Sequence, residues 1–179
     1  MSFIRKIVNR LKEKRVDYSS VEYLKSKGVK IGENVDIINS NIEHCHSFLV
    51  TIGNNVTITN ATILAHDAST KKFLGYSKVG RVDIGDDVFI GYGAIILPNT
   101  RIGNRVIVGA GTVVAKDVPD NVVIVGNPFR IICTFDEYLE KNRRNLEKGP
   151  VYHTLWSEKS EEEKQCMYKE LKNQVGYDL

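Results

Sequence analysis

No stretch of this sequence is apolar for long enough to cross a bilayer as a helix, which takes about 18–20 consecutive residues. Residues 1–15 hold neither an uninterrupted apolar run nor a small-residue cleavage site, so no secretory leader is expected there. Cysteine is scarce. Cys45, Cys133 and Cys166 are an odd set of three without metal-ligand spacing, which argues against a disulfide framework. They fit small buried thiols in a reducing compartment, and a cytoplasmic location is expected. A large excess of one charge is also missing. The net charge of +3 is too small to mark a nucleic-acid surface, and no aromatic-basic motif accompanies it. What remains is an ordinary foldable composition: 179 residues, 42% hydrophobic and 26% charged, enough for one domain with modest appendages.

The charge is unevenly spread. Residues 1–30 carry nine Lys and Arg against three Asp and Glu, whereas residues 135–179 carry eight against ten. Phe3, Ile4, Ile7, Val8 and Leu11 recur at helical spacing, with Arg5, Lys6, Arg10 and Lys12 between them. Such a basic amphipathic helix can lie on an anionic membrane surface. It can equally cap the open end of a repeat array, and residues 1–30 are expected to form an N-terminal helical cap.

The strongest signal is an internal repeat. Ile84, Ile90, Ile96, Ile102, Val108 and Val114 are aliphatic residues spaced by six. Four places after each stand Val88, Ala94, Thr100, Val106, Thr112 and Val118, all small or β-branched. One place after each comes mostly glycine: Gly85, Gly91, Gly103 and Gly109, with Leu97 and Ala115 as exceptions. The register is already visible from Ile52, and more weakly from Ile31. A helix would smear a strict period of six around its whole surface, and hairpin arrays alternate by two over longer runs. A short strand and a corner every six residues would instead put the first and fifth positions inside a narrow prism. Glycine would then suit the corners, where the backbone bends sharply. The period predicts an all-β parallel solenoid over 52–119.

Two interruptions break the register. Around Asn41 to His46 the frame shifts by three residues, and between Leu64 and Ile84 the segment 67–82 has no inward pattern. Long excursions in a strict array mark a site more often than an accident. Past the last hexad, Val122 to Pro128 is expected to leave the coil. From Phe135 the pattern predicts a helix ended by Gly149-Pro150, and a second helix over 158–175. The expected organisation is a cap (1–30), a repeat domain (31–134) and a C-terminal helical extension (135–179).

The hexads, together with Leu64-Ala65-His66-Asp67-Ala68-Ser69, Val114-Ala115-Lys116-Asp117-Val118-Pro119 and Gly126-Asn127-Pro128-Phe129-Arg130, resemble the hexapeptide-repeat acyltransferases. The likeness covers roughly 31–133. It is to the branch of maltose/galactoside acetyltransferases and capsular-polysaccharide O-acetyltransferases. The resemblance implies a left-handed β-helix with three hexads per turn. General crossover preference alone would give the opposite hand. It further implies a homotrimer, acetyl-CoA as donor, no required metal, and transfer to a hydroxyl of a sugar or polysaccharide precursor.

Such transfer needs a general base, and histidine titrates closest to neutrality. His66 stands where the repeat gives way to the excursion, and the resemblance implies that it is the base. His46 follows as a second catalytic candidate, orienting the acceptor or supporting His66; the alternative is a polar residue closing a corner. His44 and His153 read as surface residues. Asp67 is a poor candidate for steering His66, because neighbours on an extended strand point to opposite faces. For the donor, Gly93, Ala94, Ala110 and Gly111 would permit close backbone approach of the pantetheine arm. Lys116 and Arg130 match positions that meet its phosphates. If the trimer carries over, Lys72 and Tyr76, with Lys71 and Phe73, wall the acceptor pocket, and Phe89 and Tyr92 lie near the donor.

Other readings are an amino-sugar N-acetyltransferase or an antibiotic O-acetyltransferase on the same donor site. More remote are a non-enzymatic scaffold and a zinc carbonic anhydrase, which would need His44, His46 and His66 to converge on one metal.

Overall fold

The computed structural model describes residues 20–179. The amphipathic segment 3–12 lies outside the described residues. The chain divides into two compact units between Ile132 and Cys133.

The first unit is a prism of three parallel sheets. One face holds β1 (Lys30–Ile31), β4 (Val50–Ile52), β9 (Val82–Ile84) and β12 (Thr100–Ile102). A second holds β2 (Val35–Ile38), β5 (Val56–Thr59), β10 (Val88–Ile90), β13 (Val106–Val108) and β15 (Val122–Val125). The third holds β3 (Asn41–Ile42), β6 (Thr62–Ile63), β11 (Ile95–Ile96) and β14 (Val113–Val114). Each coil of chain visits the three faces in turn. Ile84 lies over Ile102, Val88 over Val106 and Ile96 over Val114, so one repeat of three hexads makes one coil.

The solenoid begins earlier than the strict repeat, at Lys30, and ends later. The expectation that 122–128 leaves the coil is corrected for its first part. Ile107 pairs with Val123 and Val108 with Ile124, and Ile124 is fully buried. An aliphatic run at the right offset continues the stack even without the six-residue signature.

From Ile84 to Val118 every first and fifth position of the hexads is buried, including Thr100 and Thr112. The aliphatic members contribute about 1.5–3 kcal/mol each through burial. Leu24 of α1 (Val21–Ser26), a short helix capped by the Ser20 side chain, joins the same core beside the first coil.

The corners work differently from the sequence expectation. Glycine at the second position is required by stacking rather than by bending. A Cβ on Gly53 would sit 2.6 Å from the Gly85 carbonyl oxygen, and one on Gly85 would sit 2.8 Å from that of Gly103. The sharp bend falls two residues later, where Asn34, Asn55, Asp87 and Arg105 take positive φ. A side-chain ladder reinforces the column. Asn54, Asp86, Asn104 and Asp120 each accept, at Oδ1, a backbone N–H of the preceding coil.

The excursion leaves after His66. β7 (His66–Asp67) and β8 (Lys78–Val79) pair antiparallel and close its base. Between them lie a 3-10 turn and a short helix, α2 (Lys71–Leu74). A final strand, β16 (Arg130–Thr134), follows β15.

The second unit contains α3 (Phe135–Lys148), opened by a Thr134/Glu137 capping box and stopped at Gly149. The second expected helix is shorter than the 158–175 reading. α4 spans Glu161–Glu170, because Ser160 and Glu163 form a capping box that sets its start. After it β18 (Tyr177–Asp178) pairs in parallel with β17 (Val151–Tyr152), which precedes the helix. Lys159, buried, pairs with Asp178 at 2.7 Å and also donates to the Thr154 carbonyl. That pair fixes Lys159 outside the helix.

Candidate active site

Both register breaks converge on one place. The first break, just after β3, turns the Glu43 side chain inward; it is 1% exposed. The second break, just after β6, presents His66 at the edge of the excursion with its side chain 32% exposed. Glu43 Oε2 lies 2.6 Å from His66 Nδ1. The same carboxylate accepts backbone N–H groups from Ala65 (3.0 Å), Cys45 (2.8 Å) and His46 (3.2 Å). The Ala65 bond locks the backbone beside His66, while the other two shape the bend that carries His46.

Burial pushes the Glu43 carboxyl up. The His66 hydrogen bond and the three backbone N–H groups pull it down further, to about 2. Glu43 is therefore an anion throughout the neutral range. With an anionic acceptor at Nδ1, the His66 proton is held there and the Nε2 lone pair is left for chemistry. That arrangement suits a general base.

His46 stands next to this pair, its ring centroid 5.4 Å from that of His66. Its Nδ1 is buried and has no hydrogen-bond partner. Ligand atoms of Glu43, His46 and His66 all lie within 4.8 Å of one another. His44 is exposed and not a member of this cluster; the three-histidine arrangement weighed from sequence is replaced by one carboxylate and two histidines. Asp67 takes no part in orienting His66. It binds Lys78 at 2.5 Å and the Ser69 N–H at 2.8 Å, and these hold its carboxyl down at about 2.

Glu43 was not singled out by sequence reasoning. Its position directly after Ile42, at the point where the frame slips, is the signal that could have found it.

The remaining candidates fall into three groups. Gly93 and Gly111 occupy the corner between the second and third faces, with φ of 71° and 68°. Glycine there is accounted for by the left-handed bend, with or without a ligand. Ala110 is exposed beside Gly111, whereas Ala94 is fully buried and its small size is a core requirement. His66 lies at a different corner, between the third and first faces, where Lys116 also lies. Lys116 Nζ sits 5.1 Å from the Phe129 ring centroid, and Arg130 is exposed. Lys72 and Tyr76 project from the excursion into solvent, Tyr76 being 81% exposed. Asp67, Lys78, Val79, Leu97, Pro98, Asn99 and Ala115 line a groove of about 420 Å³, and Val79 in it is the strand partner of His66.

Residues 81–116 match the family model described as bacterial transferase hexapeptide (six repeats). The repeat of that family is thus present in this chain over residues 81–116. It is 44% identical over 86 residues to YvoF of Bacillus subtilis (strain 168), a provisionally assigned acetyltransferase, a match taking in 48% of this chain and 48% of the relative. The chain spans less than half the length of the curated relatives it matches first. Among solved structures, a galactoside acetyltransferase in complex with coenzyme A superposes with a TM-score of 0.53 at 23% identity, over 76% of this chain and 82% of that one. A hexapeptide-repeat acetyltransferase from Vibrio cholerae O1 biovar eltor, complexed with acetyl coenzyme A, gives 0.51 at 19% identity, over 73% and 84%. These two share the fold. Among the described residues, no helix of this hexapeptide-repeat protein is long and apolar enough to cross a membrane.

Proposed function

We propose that this protein is an acetyl-CoA-dependent O-acetyltransferase acting on a hydroxyl of a sugar or polysaccharide precursor, with His66 as general base. The observation that carries the reading is the Glu43–His66 pair at the lip of the excursion. The acceptor hydroxyl oxygen attacks the thioester carbonyl carbon while its proton passes to His66 Nε2. The tetrahedral adduct then collapses, breaking the carbon–sulfur bond. The departing thiolate takes the proton back from the imidazolium, giving coenzyme A and the acetyl ester. Glu43 stabilises the imidazolium between the two steps, which makes it a positioning residue.

The groove beside Leu97, Pro98 and Ala115 is assigned to the pantetheine arm; its lining residues Asp67 and Ala115 are the chain neighbours of His66 and Lys116. Lys116 and Arg130 are assigned to the donor's phosphates. Gly93, Ala110 and Gly111 sit on another corner, so in this reading they meet the donor held by a neighbouring copy of a homotrimer. Lys72 and Tyr76 are assigned to the acceptor across the same interface, where Phe73 and Leu74, 82% and 69% exposed, would also be covered.

The test is release of free thiol from acetyl-CoA by the purified protein across a panel of sugars and nucleotide sugars. Turnover that needs a hydroxyl acceptor is expected. Turnover only with amino sugars at their amine would move the assignment to N-acetylation, and failure to bind acetyl-CoA would remove it.

A further inference from the structure

The unpartnered nitrogen of His46 is unexplained by the base chemistry. A buried ring nitrogen without a hydrogen bond carries an uncompensated desolvation cost, and such groups call for a partner. It stands beside His66, and with Glu43 the two rings form a set of one carboxylate and two imidazoles, each donor atom within 4.8 Å of the others. Four-coordinate zinc holds nitrogen and oxygen ligands at roughly 2.0–2.2 Å, which puts them about 3.3 Å apart. Reaching that spacing requires Glu43 Oε2 and His66 Nδ1 to part from 2.6 Å and the His46 ring to move in from within 4.8 Å. Glu43 is buried, unlike a solvated surface carboxylate, and its backbone hydrogen bonds hold it in place.

We propose that Glu43, His46 and His66 form a binding site for a divalent transition metal of the zinc class, and that filling it switches the base off. Imidazole and carboxylate donors suit zinc and its first-row neighbours. The tautomer of His66 makes the consequence specific. In the metal-free state Nδ1 carries the proton toward Glu43 and Nε2 offers its lone pair. When the metal bonds to Nδ1, that proton moves to Nε2, and Glu43 Oε2 exchanges a proton donor for the metal while keeping the Ala65 N–H. Nε2 becomes a donor and can no longer accept a hydroxyl proton. No proton is lost and no electron is transferred. Metal and base catalysis are thus mutually exclusive, while the donor groove beside Leu97 and Ala115 is untouched.

The inhibitory consequence rests on the acetyltransferase reading; the metal site itself does not. The experiment is a titration of EDTA-treated, desalted full-chain protein with Co²⁺, followed by visible absorption. One Co²⁺ per chain is expected, displaced by Zn²⁺. Affinity should fall at least ~10-fold in His46→Ala and in His46→Asn, and should be unchanged in His44→Ala and His153→Ala. Absence of saturable binding, or equal affinity in both folded His46 variants, overturns the site. In parallel, acetyl transfer should fall in proportion to Zn²⁺ occupancy and return with EDTA, with acetyl-CoA affinity constant. Active enzyme indifferent to an occupied site overturns the switch. Stoichiometric metal binding by a protein without transferase activity upholds the site and defeats the transferase reading alone.

Discussion

Glu43 Oε2 and His66 Nδ1 meet at 2.6 Å although they are 23 residues apart and follow strands of successive coils, β3 and β6. Stacking makes this possible. Ile42 pairs with Ile63, so the residues that follow each emerge at the same corner, one above the other. A residue leaving the array at one coil can therefore be gripped by a residue leaving it at the next.

Replacing Glu43 by Gln should damage both stability and rate. Four N–H donors point at the carboxylate, and an amide offers one acceptor oxygen while turning an NH₂ toward other donors. A loss of about 2–3 kcal/mol in urea unfolding is expected. Acetyl transfer should drop ~10–10³-fold, with acetyl-CoA affinity within a few-fold of wild type. A folded Glu43→Gln protein with wild-type turnover would contradict the positioning role.

The same carboxylate should appear in the pH dependence of stability. Its value in the folded protein is about 2, against an ordinary 4.5. Folding therefore favours the ionised form. The stabilisation is fully present above about pH 4.5 and is lost progressively as pH falls toward 2. Unfolding free energies measured in EDTA should show wild type losing more stability than Glu43→Gln over that window. Parallel curves would mean that the hydrogen bonds to Glu43 do not hold in solution.

The two kinds of glycine should behave differently. Ala at Gly53 would drive a Cβ against the Gly85 backbone, whose position is fixed by the next coil. Ala at Gly111 would meet no atom within 4 Å and would cost only the strain of a positive φ. About 1–2 kcal/mol is expected for Gly111→Ala, and more than that for Gly53→Ala. Thermal melts of the two variants decide it, and equal melting temperatures would contradict the stacking explanation.

These glycines also show what was legible in the sequence. The period of six exposed the inward positions directly, because burial of side chains is a one-dimensional pattern along the chain. It could not separate a glycine that bends from one that must make room, since close approach depends on the coil beneath. Val122 to Val125 was misread for a related reason: a strand that completes a stack needs only the right offset, not the signature of its neighbours. His66 could be proposed from its motif at a register break. Glu43 was not, because its role exists only once β3 lies against β6. Ala94 reads from sequence both as an inward fifth position and as a contact of the donor's arm; its full burial accounts for its small size through the first.

The central claim is that His66, held by Glu43, is the base for acetyl transfer from acetyl-CoA. The most direct measurement compares wild type with His66→Ala in thiol release against an accepted hydroxyl substrate, with acetyl-CoA binding measured on the same samples. Transfer should fall by ~10²–10⁴ while acetyl-CoA affinity stays within a few-fold. Undiminished transfer by folded His66→Ala would contradict the account.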